Sequence, residues 1–395
     1  MSTQNLVFLG AKRTPFGAFG GSLRDASPAD MATAASKAAL VQSGVAPSEI
    51  QHVIVGNVVQ ATADAILVPR HTGLKSGVPL EIPALGVNRL CGSGFQVVVD
   101  AYAQMCAGDT EVALVGGTES MSLVPYVVRG ARWGSKMGHT QFEDYLTAAL
   151  TDTYCGCSMG ITAENLGAKY GITRGQVDEF ALLSQTRAKA AAEAKRFDTE
   201  IEPYAIKDKK GNVVEIKADE HPKPATTIES LTKLKSVFKE NGLVTPGTAS
   251  GIVDGAAMFV VSTENFAKRK NLKPLGRLVA YGIAGVDPSI MGIGPAPAVR
   301  QALKRAGMSL SQIDLVEINE AFGAQYLAVE KELELDRERT NVNGGAIAIG
   351  HPLAASGSRI TMHLLYELQR RGKRYGLGAA CIGGGQGIAL VVEAF

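Results

Sequence analysis

Ser48-Glu49-Ile50-Gln51-His52-Val53-Ile54-Val55 returns late in the chain as Ser311-Gln312-Ile313-Asp314-Leu315-Val316-Glu317-Ile318. In each copy a polar turn leads into a short apolar strand. Ala113-Leu114-Val115-Gly116-Gly117 has a similar partner in Ala380-Cys381-Ile382-Gly383-Gly384. Between those strands each half holds a glycine-rich turn and then a long helical pattern. The period is roughly 260 residues, far beyond a solenoid repeat, so a whole domain is duplicated. Strand–helix alternation in both copies predicts an α/β fold with covered sheets. Duplication sets equivalent strand-to-helix turns face to face, which gathers distant segments at one cleft.

Working outward, Leu6 to Ala11 reads as the first core strand and Asp30 to Ser43 as an Ala-rich helix ended by Gly44. From Glu119 to about Ala249 apolar periodicity weakens and charge increases. Helical patterns stand near 162–170 and 174–196, and a Lys-rich, Pro-containing stretch follows over 207–239. That is too long for a plain loop. It predicts an inserted loop domain over 120–249, between a first half of 1–119 plus 250–272 and a second half of 273–395. Residues 250–257 are expected to enter a helix before a strand at Met258 to Ser262 returns to the first sheet.

The 395 residues are 46% hydrophobic, and the net charge of +2 gives no reason to expect nucleic acid or an anionic membrane as partner. No apolar run reaches the length of a membrane span. Five cysteines in so long a chain suggest free thiols in a reducing compartment. The N-terminus has no signal-peptide core. Lys12, Arg13 and Arg24 precede the first acid, Asp25, as in a transit peptide, but the strand at Leu6 argues for mature protein. Cytoplasm is the first expectation, mitochondrial matrix the alternative.

Four segments carry residues able to do chemistry. In Asn88-Arg89-Leu90-Cys91-Gly92-Ser93-Gly94, Cys91 stands where an extended segment turns into a helix over 95–106. A helix N-terminus favours negative charge and so a thiolate, although a free cysteine is ordinarily a small buried hydrophobe. Asn319-Glu320-Ala321-Phe322 follows an apolar strand directly. Gly350-His351-Pro352 opens a helix. Cys381 ends a strand before Gly383-Gly384-Gly385-Gln386-Gly387. Asn319 is equally suited to capping a turn, and the glycine run lacks the partners of a nucleotide fingerprint. Cys155-Gly156-Cys157 has no second ligand pair at zinc-like spacing, so no metal is expected. His52, His71, His139, His221 and His363 have no comparable setting. Together, one cysteine with a histidine base could attack an acyl carbonyl. The second cysteine could move a proton beside a thioester, and Asn with backbone N–H groups could hold oxyanions.

These segments resemble the thiolase family. So do Gly116-Gly117-Thr118-Glu119-Ser120-Met121-Ser122, Asn341-Val342-Asn343-Gly344-Gly345-Ala346 and Arg13-Thr14-Pro15-Phe16-Gly17, so the likeness spans essentially the whole chain. It is nearest to the 3-ketoacyl-CoA thiolases of the mitochondrial matrix type and their bacterial relatives. The resemblance implies a five-layered α-β-α-β-α core of two similar halves, with the inserted domain covering coenzyme A. It implies an acyltransferase that cleaves 3-ketoacyl-CoA, or runs the reverse Claisen condensation, through an acyl-cysteine. Coenzyme A and its thioesters are then substrates, with no prosthetic group, and the chain forms a homodimer or homotetramer.

On that resemblance Cys91 is the acylated nucleophile and His351 its base. Cys381 is the second acid/base. Asn319 holds a catalytic water in one oxyanion hole, and the N–H groups of Cys91 and Gly383 form another. Ser250, Lys223 and Ser158 fall at coenzyme contacts; Met159, Met291 and Phe322 surround the acyl group. Two positions depart from the family. Ala354 stands where glycine is usual after His-Pro, so that turn must use ordinary backbone angles. Ser158 replaces a histidine of the short-chain biosynthetic enzymes. The rival readings are an acetoacetyl-CoA-forming acetyltransferase, a decarboxylating condensing enzyme and a non-catalytic CoA- or lipid-binding relative.

Overall fold

The computed structural model describes residues 5–207 and 210–395. Asp208 and Lys209, within the Lys-rich stretch, lie outside the described residues. The first half supplies β1 (Leu6–Arg13), α1 (Pro28–Ser43), β2 (His52–Gly56), α2 (Val68–Lys75), β3 (Ala84–Val87), α3 (Ser93–Ala107) and β4 (Val112–Glu119). The inserted segment carries α4 (Met159–Lys169) and α5 (Arg174–Glu193). There follow β5 (Val253–Thr263), β6 (Gly276–Gly285), α6 (Pro295–Ala306), β7 (Leu315–Ile318) and α7 (Gly323–Leu333). The chain ends with α8 (Ser356–Arg371), β8 (Tyr375–Ile382) and β9 (Gln386–Ala394).

One ten-stranded sheet runs in the order β7-β8-β9-β6-β1-β5-β4-β2-β3, with the short strand Gly17–Ala18 added on β5. Its two ends are copies. β2 and β4 are parallel, as are β7 and β8. The next two pairings on each side are antiparallel: β4 with β5 and β5 with β1, then β8 with β9 and β9 with β6. The copies join where β1 meets β6 at Val7–Arg277 and Phe8–Gly276.

Register corrects one of the sequence matches. His52 lies opposite Ala113, and Leu315 lies opposite Gly376. The equivalent of Ala113 is therefore Gly376, not Ala380. Both strands are runs of small apolar residues, so a slipped match looks as good as the true one. A second correction concerns residues 250–257. No helix forms there; β5 begins at Val253 and stays buried throughout its length. A fully buried strand shows no alternation, and such a run is ambiguous with helix.

Alternate residues of each strand face different layers, as a strand's period of two requires. Val7, Val53, Val55, Leu114 and Val260 pack under α1 and α2. Phe8, Ile54, Val115 and Phe259 face inward with Ile382 and Leu390 of the other half, against α3 and α8. Val316, Ile318, Leu377 and Val391 pack outward under α6 and α7. Those are the five layers expected. α8 is buried on every side from Ser356 to Leu368. Its charged residues are accordingly paired: Arg359 with Glu317, and His363 Nδ1 with Glu200 at 2.9 Å.

Among its described residues, segment 120–249 puts no strand into the large sheet. It packs largely on the second half, although it is inserted in the first. Phe180 of α5 stacks on Tyr326 of α7 with ring centres 3.9 Å apart. It is also bolted to β1. Arg13, fully buried, donates to Glu200 at 2.8 Å and to both Asp219 oxygens at 2.7 and 2.9 Å. Burial opposes ionisation of Glu200, but the charges of His363 and Arg13 hold its carboxyl down at about 2. Glu200→Gln should cost about 3–5 kcal/mol, because it leaves buried charge uncompensated. Urea unfolding checks this. Glu200's contribution is complete above its ordinary value of 4.5 and is lost as pH falls through about 2. His363 has the opposite sign. Burial lowers its pKa, yet Glu200 raises it overall from the ordinary 6.5. Its contribution is complete below 6.5 and is lost as pH rises through the raised value.

Candidate active site

Three turns at strand ends, and the His-Pro turn that follows the short helix Ala346–Ile349, converge on a cavity of about 300 Å³. Cys91 lies in a single 3-10 turn, Leu90–Gly92, ahead of α3. Leu90 takes φ 48° there. Two side chains hold this turn: Asn88 Oδ1 accepts the Leu90 N–H at 3.0 Å, and Ser93 Oγ accepts that of Arg89 at 2.9 Å. The other half repeats the arrangement, with a 3-10 turn at Leu353–Ala355 ahead of α8. Leu90-Cys91-Gly92-Ser93-Gly94 thus matches Leu353-Ala354-Ala355-Ser356-Gly357 at the same offset as the strands. That repeat was visible in the sequence and is its clearest missed signal. The two turns touch. A Cβ added to Gly94 would fall 2.6 Å from Ala354 O, and one on Gly117 1.9 Å from it. Ala354 itself takes ordinary angles and is fully buried. Its methyl is accommodated, so the missing glycine leaves the turn intact.

His351 lines the cavity beside Cys91. Its Nδ1 lies 2.5 Å from Ser356 Oγ, which is 3.4 Å from Pro352 O. Its Nε2 lies 3.4 Å from Asn319 Nδ2. An amide NH₂ only donates, so Nε2 carries the lone pair and Nδ1–H donates to Ser356. Burial, helped by the Arg359 charge, pushes His351 down to about 3. At neutral pH it is therefore an uncharged imidazole.

The thiol does not behave as the helix terminus suggested. Burial pushes Cys91 up to about 11, against a hydrogen bond from the Gly383 N–H, and the Glu119 charge adds to the rise. Its neighbours Met121, Leu146 and Leu353 form an apolar wall that outweighs the partial charge of the turn. Cys91 therefore rests as a thiol. Accordingly, alkylation of the free enzyme by iodoacetamide should keep accelerating above the ordinary thiol value of 9.0. A rate that levelled well below that value would restore the thiolate reading.

Cys381 and Asn319 lie behind the lining. Cys381, fully buried near the end of β8, sits among Met291, Ala321, Met159 and Phe322. Burial and then the Cys91 charge raise its pKa further still. Asn319 follows β7, with its N–H on Ala379 O at 2.8 Å. Its Oδ1 is buried without a protein partner among the described residues. The next residue, Glu320, anchors this loop. It accepts from Ser184 at 2.7 Å, Asn341 at 2.8 Å and the Ile347 N–H at 3.1 Å. Gly383 is buried in the turn between β8 and β9, where Gly384 and Gly385 take φ 76° and 81°. That glycine run is a tight hairpin, not a phosphate cradle.

The chain matches two family models in succession: "Thiolase, N-terminal domain" over residues 6–265 and "Thiolase, C-terminal domain" over 272–394. The chain belongs to the thiolase family. It is 54% identical over 391 residues to the mitochondrial 3-ketoacyl-CoA thiolase of Bos taurus, covering 99% of this chain and 98% of that one. It is 47% identical over 392 residues to the beta-ketothiolase BktB of Cupriavidus necator, covering 99% of each. Human mitochondrial 3-ketoacyl-CoA thiolase in complex with CoA superposes with a TM-score of 0.97 at 52% identity, covering 100% of this chain and 98% of that one. The thiolase fold, and with it an acyltransferase enzyme, is thereby established.

In this thiolase Ser250, Ser158, Met159, Met291 and Phe322 all line the cavity. Ser158 also caps α4, accepting the Ile161 N–H at 3.4 Å. Lys223 does not line it. Its side chain is exposed, and its N–H is tied to Gln185 at 2.9 Å. It lies two residues beyond His221, whose ring packs on the cavity residue Gly251. Phe238, Leu150 and Ile252 line the cavity too. They come from the insertion and its exit, where no periodicity singled them out.

Glu119 is the residue whose motif was quoted without a role. Its buried carboxylate accepts N–H groups from Val59 at 3.0 Å, Val58 at 3.2 Å and Ala354 at 3.1 Å. Asn57 adds a fourth bond at 3.2 Å. Glu119 thus ties the His-Pro loop to the half that carries Cys91.

Proposed function

We propose that this thiolase cleaves 3-ketoacyl-CoA with coenzyme A, giving acetyl-CoA and a shortened acyl-CoA, and runs the reverse condensation in the same site. The observation that carries this is Cys91 and a neutral His351 on one cavity wall, with a second thiol, Cys381, directly behind. Cys91 Sγ attacks the keto carbon as its proton passes to His351 Nε2. The carbon–carbon bond breaks, and the acetyl-CoA enolate takes a proton from Cys381. Coenzyme A then gives its thiol proton to Cys381 and attacks the acyl-cysteine. Cys91 leaves and recovers its proton from His351. The Cys91 and Gly383 N–H groups stabilise the tetrahedral oxyanion. His351 and Asn319, through a water, stabilise the enolate; the unpartnered Asn319 Oδ1 supports that role.

Met121, Leu150, Phe238 and Ile252 make the cavity largely apolar. That wall, with Ser158 in place of histidine, favours acyl chains beyond acetoacetyl over a purely biosynthetic acetyltransferase. Ser250 and the 120–249 segment hold and cover coenzyme A, with Lys223 outside the mouth for its phosphates. The chain forms a homodimer through its nucleophile-bearing half. The edge strand β3, with Leu85, Leu80 and Ile66 exposed, supports that surface. The mitochondrial relatives shift the expected compartment toward the matrix.

The test is thiolysis of 3-ketoacyl-CoA at several chain lengths, followed by loss of enolate absorbance. Turnover beyond four carbons supports the reading, and turnover of acetoacetyl-CoA alone selects the biosynthetic one. In the same assay Asn319→Ala should lower kcat by roughly 10²–10³, the usual loss of one oxyanion donor.

A further inference from the structure

Cys155-Gly156-Cys157 has no part in the mechanism above. It sits at the turn of a small hairpin in which Thr151 pairs with Ser158 and Asp152 with Cys157. Gly156 takes φ 66° in open space, which brings its two neighbours to one side. The Cys157 thiol reaches back across the one intervening residue to Cys155 O at 3.5 Å. Both are partly exposed. The stem of this hairpin is the cavity rim: Leu150, Thr151, Ser158 and Met159 all line it. Met159 N–H bonds Leu150 O at 2.9 Å, and Ser158 starts α4.

We propose that Cys155 and Cys157 form a reversible disulfide that shifts the rim and weakens acyl-CoA binding; the second half of this statement rests on the substrate reading above. The oxidant is a low-molecular-weight disulfide, RSSR. One cysteine, as thiolate, attacks a sulfur of RSSR and expels RS⁻, forming a mixed disulfide. The second, as thiolate, attacks the protein sulfur and expels the other RS⁻. The two protons end on two RSH. A bridge across one intervening residue is strained, and strained, accessible disulfides are the labile ones. Closing it pulls Cys157 out of register with Asp152 and carries Ser158 and Met159 with it.

Tryptic digestion releases residues 137–169 with these two cysteines and no other. After glutathione disulfide treatment this peptide should lose two hydrogens and regain them with dithiothreitol. KM for acyl-CoA should rise on the order of tenfold, with Cys91 still open to iodoacetamide. The Cys155→Ser, Cys157→Ser double variant should keep the reduced enzyme's KM and ignore the oxidant. A peptide that keeps its two hydrogens overturns the disulfide, and does so whether or not the enzyme turns over. An unchanged KM in the oxidised enzyme overturns the switch. So does equal weakening in the double variant, which would place the oxidation at Cys91 or Cys381.

Discussion

Cys91→Ser should abolish acyl-enzyme formation and reduce thiolysis by roughly four to six orders of magnitude, the scale on which a nucleophile's loss is felt. The reason is electrostatic as much as chemical. Burial leaves His351 an uncharged imidazole and Cys91 an un-ionised thiol. A thiol is acidic enough to be deprotonated in the act of attack. A serine hydroxyl is far less acidic, and nothing in the apolar wall of Met121 and Leu353 would compensate. Incubation with radiolabelled acetyl-CoA and mass analysis of the peptide carrying residue 91 measures the outcome. A stoichiometric label on the Ser variant would remove Cys91 from the role of nucleophile.

Cys381→Ala should separate the two halves of the reaction. Its thiol is buried behind the cavity with Met291 and Phe322, and it feels the Cys91 charge. It does not line the cavity as Cys91 and His351 do, so the variant should still take acetyl from acetyl-CoA onto Cys91. Carbon–carbon bond formation and thiolysis should fall by roughly 10²–10⁴, the usual contribution of a positioned acid/base. Single-turnover acylation beside steady-state condensation measures the split. Near-normal condensation would assign the second proton transfer elsewhere. Loss of acylation as well would mean that the substitution had collapsed the cavity floor.

Much of the site was readable because its chemistry is local. The Cys91 turn, the His-Pro turn, the Asn319 loop and the Cys381 strand end each combine a residue able to do chemistry with glycines or a strand stop. Duplication explained how they could meet. What local pattern handled badly was burial. A helix start was expected to make Cys91 a thiolate, but the local partial charge lost to the apolar wall. Residues 250–257 looked helical because β5, covered on both faces, has no alternation. Phe238 and Leu150 escaped notice because only the packing of the insertion brings them to the substrate side.

The sequence alone therefore determined the duplicated α/β fold and pointed to the 120–249 insertion and the four candidate segments, since periodicity, turn residues and motif order are properties of neighbouring residues. Only the tertiary structure decided the register of the repeat, the resting protonation of Cys91 and His351, and the tie from Glu119 to Ala354. Those depend on which groups are withdrawn from water together, and residues far apart in the chain decide that.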